Sequence, residues 1–231
     1  RFSYGIVMAE KNGGARTDVE IGSPTYAPTI RLAYSTNSNP GGHVKSVAPT
    51  TNPIIPLEVE EQGNSVYYYS ADIESRGKTY ANITMDGDYN TAYYTKGSMD
   101  NYGTINLRSK YDVDNNNPDL GYGNVGIFSA NPDAPSTNYG TITTSMSDTG
   151  NMKYSAGMAA GRNYFVDVET IDSVTGKKVT TSKYDRTEEQ GYIVNRGNIV
   201  VQEKEGIGMF ATGSRSRAIN YGNIELKGEN G

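Results

Sequence analysis

The chain has 231 residues, 35% of them hydrophobic, with 27 Gly, 19 Tyr, no Trp and no Cys. Its net charge is −5, with Lys and Arg scattered, which excludes the basic patch that nucleic-acid binding needs. Without Cys there is neither a disulfide framework nor a thiolate metal site, and no stretch approaches the ~20 apolar residues of a membrane helix.

In chain order, the sequence starts at Arg1 and soon reaches Gly5-Ile6-Val7-Met8-Ala9, a Gly followed by a short apolar strand. Ser23 to Pro56 then holds six of the nine prolines, at 24, 28, 40, 49, 53 and 56. Proline removes ladder donors, so this stretch is expected to leave regular strand. It contains the sole histidine, His43, in a surface loop. Strands are expected at Ile54–Glu60, Val66–Ile73 and Thr79–Met85. Ala81-Asn82-Ile83 and Ala92-Tyr93-Tyr94 look like worn copies of two phrases that become clear later.

The first clear phrase is Asn-x-Gly-x-Ile, at Asn101–Ile105, Asn138–Ile142, Asn195–Ile199 and Asn220–Ile224. The second is Gly followed by small apolar residues, at Gly126–Ala130, Gly157–Ala160 and Gly208–Ala211. From Asn195 to Asn220 is 25 residues, and longer intervals carry insertions at defined places. Alternation along Ile199-Val200-Val201-Gln202 reads as strand. Asn and Gly read as turn residues that accept left-handed backbone. A coil of about 25 residues with two or three short strands signals a solenoid. The fold expected is all-β, a parallel β-helix, with recurrent Ile as an interior column and recurrent Asn as an amide ladder.

Departures from the repeat carry the functional candidates. Residues 110–122 are polar and Asn-rich, and Asp112, Asp114, Asn116 and Asp119 echo a calcium loop. Asn117 stands at the sixth position, where Gly is expected, and Gly123 at the twelfth, where Glu is expected, so a solvated loop is the preferred reading and no metal is assigned. Residues 161–191 read as a β-hairpin, Tyr164–Ile171 and Lys178–Tyr184 around Ser173–Lys177. Residues 1–100 form an irregular, proline-rich part with degenerate coils, and 101–231 the regular part. Exposed aromatic and basic residues, Tyr164, Lys177, Lys178, Tyr184, His43 and Tyr68, are the receptor-contact candidates, since Tyr offers rigid contact area at low entropy cost. Catalysis is not expected. No Gly-x-Ser-x-Gly elbow occurs, and Asp86 with Asp88 is the nearest carboxylate pair.

The sequence Gly206–Ala211 followed by Ala218–Gly228 resembles the repeats in passenger domains of large fusobacterial type V autotransporters, the outer-membrane adhesins that include the RadD-like proteins. The resemblance covers Asn195–Gly231 well, Asn101–Ala160 in part, and little before residue 100. It implies that the β-helix is right-handed, exported through the outer membrane to the cell surface, and attached to a host or bacterial receptor, protein or glycan, through its loops. The chain is expected to be monomeric, without cofactor, and a piece cut from a longer protein. A β-helical carbohydrate-active enzyme and a pure spacer are the alternatives.

Overall fold

Each pair of repeated phrases folds as one coil of three short strands. The computed structural model describes residues 3–8, 18–32, 65–86, 90–109, 124–146, 155–161, 164–171, 176, 178–185, 189–202 and 206–227. The first coil is β1 (Ser3–Met8), β2 (Asp18–Ile21) and β3 (Thr29–Leu32). The second is β4 (Ser65–Ser70), β5 (Arg76–Thr79) and β6 (Asn82–Asp86). The third is β7 (Thr91–Thr95), β8 (Ser98–Asn101) and β9 (Thr104–Ser109). The fourth is β10 (Val125–Ser129), β11 (Ser136–Asn138) and β12 (Thr141–Met146). In the fifth, β13 (Ala156–Ala160) leads into a hairpin, β14 (Tyr164–Ile171) and β15 (Lys178–Asp185), before β16 (Tyr192–Asn195) and β17 (Asn198–Val201). The sixth is β18 (Ile207–Ala211), β19 (Arg217–Asn220) and β20 (Asn223–Leu226).

Equivalent strands stack into three parallel sheets of six strands, β1-β4-β7-β10-β13-β18, β2-β5-β8-β11-β16-β19 and β3-β6-β9-β12-β17-β20. The fold is a right-handed parallel β-helix, with like residues one rung apart at about 4.8 Å. Ile30, Ile83, Ile105, Ile142, Ile199 and Ile224 are in register down the third sheet. The four central ones are fully buried, each worth about 1.5–3 kcal/mol of burial. This is the expected interior column. The worn copies hold too, since Ile83 pairs Ile105 and Tyr93 pairs Ile127. No helix of the described residues is long and apolar enough to cross a membrane.

Two expectations need correction. β3 lies inside the proline-rich stretch 23–56 yet is a paired strand, in register with β6. Pro24 and Pro28 sit in the corner before it, so no ladder donor of β3 is lost, and the Pro28 carbonyl accepts from the Asn82 amide at 2.8 Å. Thr79–Met85 is also not one strand. β5 ends at Thr79 and β6 starts at Asn82, because Tyr80-Ala81 turns the same corner as Tyr102-Gly103. Residues 54–60 lie outside the described residues.

The two phrases lock together inside a coil. A Cβ on Gly126 would lie 2.8 Å from Ile142 Cγ2, and one on Gly208 would lie 2.6 Å from Ile224 Cγ2. The Gly of the first strand therefore makes room for the Ile of the third. The corner glycines have a different reason for being Gly than left-handed backbone. Among the described residues the positive-φ glycines are 22, 161, 176 and 213, none within an Asn-x-Gly-x-Ile phrase. Instead, a Cβ on Gly140 would overlap the Gly103 carbonyl oxygen, one on Gly197 that of Gly140, and one on Gly222 that of Gly197. From the third coil on, the backbones stack too closely at this corner for a side chain, whereas the second coil carries Ala81 there.

Candidate recognition surface

The corner between the second and third sheets is built by Asn-x-Gly. Asn101, Asn138 and Asn195 are buried inside it and, with the exposed Asn220 of the sixth coil, form the predicted ladder. Asn101 Nδ2 donates to Asn138 Oδ1 at 2.8 Å, Asn138 to Asn195 at 2.9 Å, and Asn195 to Asn220 at 2.8 Å. With the amide inward and Gly flat against the next coil, the residue between them must point out. That residue is Tyr102, Tyr139, Arg196 and Tyr221 in successive coils, and Tyr80, between Thr79 and Ala81, takes the same place in the second coil. Tyr80 and Tyr102 stack at 5.1 Å, Tyr102 and Tyr139 at 4.7 Å, and the Arg196 guanidinium lies 4.7 Å from the Tyr221 ring centre. Tyr102, Tyr139 and Tyr221 are exposed. An aromatic and cationic ridge thus runs along the coil axis. Its stacked faces cover one another, which leaves little ring face for a sugar.

Charges flank the ridge on the second sheet. Lys78 lies 5.1 Å from the Tyr80 ring centre and 5.6 Å from that of Tyr102. The Tyr80 hydroxyl first, and the Glu20 carboxylate at 3.8 Å, hold its ammonium above the ordinary lysine range. Burial pushes the Asp100 carboxyl up, opposed by the Thr137 hydroxyl and by Lys78. The Tyr102 phenol is also raised, mainly by burial.

In the fifth and sixth coils the same face changes character. Register pairs Tyr192 with Arg217 and Val194 with Ile219. Arg196 and Tyr221 follow, one residue beyond the paired Asn195 and Asn220. Arg217 lies 4.1 Å from the Tyr192 ring centre and its Nη2 donates to the Pro132 carbonyl at 3.0 Å. Two cation–aromatic pairs therefore bracket an aliphatic pair. Neighbouring Arg215 is paired with Asp133 at 2.6 Å.

The first sheet carries a second aromatic stack. Tyr69 and Tyr94 stack at 5.0 Å, and Tyr94 and Phe128 at 5.1 Å. Tyr94 and Phe128 are nevertheless buried, in a cluster apart from the interior column. The Tyr94 hydroxyl donates to the Glu189 carboxylate, 2.8 Å from both oxygens, and Lys96 approaches Glu189 Oε1 at 3.5 Å. Glu189 follows β15, so this contact ties the hairpin's return to the third coil. The hairpin leaves at Gly161, whose φ of +72 only Gly adopts easily. Gln190 and Gly191 rejoin the sixth-coil turn through Ser214 and Ser216, with the Gly191 amide donating to Ser216 Oγ at 3.0 Å.

The sequence candidates fall as follows. β14 and β15 pair antiparallel, Tyr164 opposite Asp185, Phe165 opposite Tyr184 and Ile171 opposite Lys178, and join none of the coil sheets. Tyr164, Lys178 and Tyr184 are therefore in this ribbon, as the turn chemistry predicts. Lys177, His43 and the calcium-loop residues Asp112, Asp114, Asn116 and Asp119 lie outside the described residues. Tyr68 is a correction. It is fully buried, in the interior column with Tyr93, and a sealed ring offers no area to a receptor. Tyr67 and Tyr68 both pack in the interior cluster, and it is Tyr69 that stacks on Tyr94 outside it. Among the described residues no group of three or more His, Asp or Glu could hold a metal ion. The corner ridge escaped the sequence reading because its residues occupy the variable place of a structural phrase. Tyr at three of those four places, 102, 139 and 221, was the available signal.

No curated protein and no solved structure matches the chain. A family match covers residues 117–231, just under half of the chain, and is described as the BigA third pectate lyase-like domain. Over those residues, the fourth to sixth coils, the chain is similar to a pectate lyase-like domain, in keeping with its stacked parallel coils.

Proposed function

We propose that the chain is part of a bacterial cell-surface adhesin: a β-helical passenger region that holds a receptor-binding surface away from the cell and carries out no catalysis. The observation that carries this reading is the exposed ridge Tyr80, Tyr102, Tyr139, Arg196 and Tyr221, set out in register by the coil itself. Tyr and Arg are the residues most enriched where binding energy concentrates. The resemblance of the repeats to RadD-like fusobacterial autotransporters supports export through the outer membrane, and similarity to the BigA domain supports the passenger role more broadly. The test is attachment of the labelled 231-residue chain to panels of host and bacterial cells, beside protein and glycan arrays. Saturable binding to a cell type is expected. No binding on any of these would favour a spacer and sink the reading.

A second reading, a β-helical carbohydrate-active enzyme, draws on the pectate lyase-like similarity. Release of reducing or unsaturated ends from an acidic and neutral oligosaccharide panel would establish it in place of the first.

A further inference from the structure

We infer that the outer face of β16 and β19 is a docking surface for an extended acidic polypeptide segment, with two carboxylates that straddle one apolar side chain. This rests on the adhesin reading and names the chemistry of its partner.

Two guanidinium groups supply the positive charge of this face. Neither Arg196 nor Arg217 has a carboxylate within ion-pair distance among the described residues, whereas Arg215 beside them does, at 2.6 Å. Arg196 lies against Tyr221 at 4.7 Å and Arg217 against Tyr192 at 4.1 Å. A guanidinium lying against a ring keeps its N–H fork in its own plane; Arg217 Nη2 already donates to the Pro132 carbonyl at 3.0 Å, so Arg217 offers its remaining donors, and Arg196 its fork, to a carboxylate. The stacking also limits side-chain freedom before binding, which lowers the entropy cost of contact.

Spacing selects the partner. Tyr192 and Val194 alternate along β16 and Arg196 follows just past its end, so the cationic ends of the face are at most about 13 Å apart, the reach of four residues of extended chain. Ile219, partly exposed beside the nearly covered Val194, sits between them. A partner strand laid along β16 has the same rise. Its residues i, i+2 and i+4 share one side, which places acid, apolar and acid over one cation pair, Ile219 and the other cation pair. The protein is acidic overall, at −5, so this local match and not bulk charge would guide an acidic partner. A flexible sulfated sugar gains no comparable apolar contact, and few ring faces here are free to stack on it.

The experiment uses the whole 231-residue chain and fluorescence anisotropy of labelled peptides. One peptide places Glu, Ile and Glu at alternate positions among Thr, one has Gln for both Glu, and one has Ser for Ile. A sulfated oligosaccharide of greater charge is the competitor. At least tenfold tighter binding of the Glu–Ile–Glu peptide than of either control is expected. Arg196→Gln with Arg217→Gln should lose at least tenfold, with Arg76→Gln unchanged. Both Arg positions are exposed, and an unchanged β-type circular dichroism spectrum and melting temperature confirm the fold. Equal binding of the Glu and Gln peptides, no effect of the double variant, or preference for the sulfated sugar would overturn the inference. If the double variant still attaches to cells as the wild type does, this partner is wrong while the adhesin reading stands. If the wild type binds the peptide selectively but no cell, the surface is supported and adhesion is what fails.

Discussion

A Cβ on Gly157 would lie 2.5 Å from Ile199 Cγ2 and 2.8 Å from the Gly208 carbonyl oxygen. Ile199 thus occupies the volume that a side chain at 157 would need, and two phrases 42 residues apart in sequence specify one cross-section of the coil. Gly157→Ala is expected to cost about 1–3 kcal/mol through overpacking. Combined with Ile199→Ala it should cost less than the sum of the single changes, with a coupling of about 0.5–3 kcal/mol. Urea unfolding measures this, and strict additivity would show that the two residues do not compete for one space.

The amide ladder should be strongest in the middle. Asn138→Ala removes a donor from Asn195 Oδ1 and an acceptor from Asn101 Nδ2, both inside the coil. Asn101 Nδ2 keeps the Gly103 carbonyl at 3.2 Å, so the expected cost is that of one buried acceptor losing its donor, about 1–3 kcal/mol. Asn220→Ala removes one partner at an exposed position in the sixth coil and is expected to cost under about 1 kcal/mol. Equal losses in thermal or urea unfolding would mean that the ladder contributes nothing beyond the local turn.

Alkaline pH should unfold the coil from the tyrosines outward. Burial pushes the Tyr93 phenol far above its ordinary range, and its hydroxyl donates to Thr79 Oγ1 at 3.0 Å. Tyr67 and Tyr68 are raised for the same first reason. The folded state holds these protons while an unfolded chain releases them near pH ~10. Their contribution is therefore complete below about pH 10 and falls as pH rises above it. Tyr93→Phe should flatten this alkaline loss and cost about 1 kcal/mol at neutral pH through the lost bond to Thr79. Tyrosinate absorbance should appear in two steps, exposed rings first and the remainder with unfolding. A single step well before unfolding would contradict burial of Tyr93.

The hairpin is held at its base by Glu189. Glu189→Gln or Tyr94→Phe removes the charge-assisted bond that joins the returning chain to the third coil. Hydrogen exchange in Tyr164–Asp185 should speed by about fivefold or more, while amides of the central Ile column keep their protection. Unchanged hairpin exchange in both variants would show that the anchor lies elsewhere.

How much of this was legible beforehand differs by residue. Ile199 and Asn195 were legible, because a side chain that stacks on its own copy must recur, and recurrence is visible in a string of letters. The hairpin was legible from Gly176 between two alternating runs. Gly140 reads as a turn glycine and is a close-approach glycine; the two look the same in sequence, and only the position of the Gly103 carbonyl separates them. Tyr68 reads as exposed and lies inside, because Tyr67-Tyr68-Tyr69 offers three equal letters, and only packing against the neighbouring coil puts the first two in the interior cluster and the third outside it.

The solenoid, its rung markers and the places where the coil is interrupted are legible in local periodicity, because a residue that stacks on its own copy must recur. Which letters meet depends instead on how the coils stack. Arg196 lies against Tyr221, and Arg217 against Tyr192, only because strands 25 residues apart pair in one register. A surface assembled one residue per coil leaves no local pattern, and stacking of the coils is what brings it together.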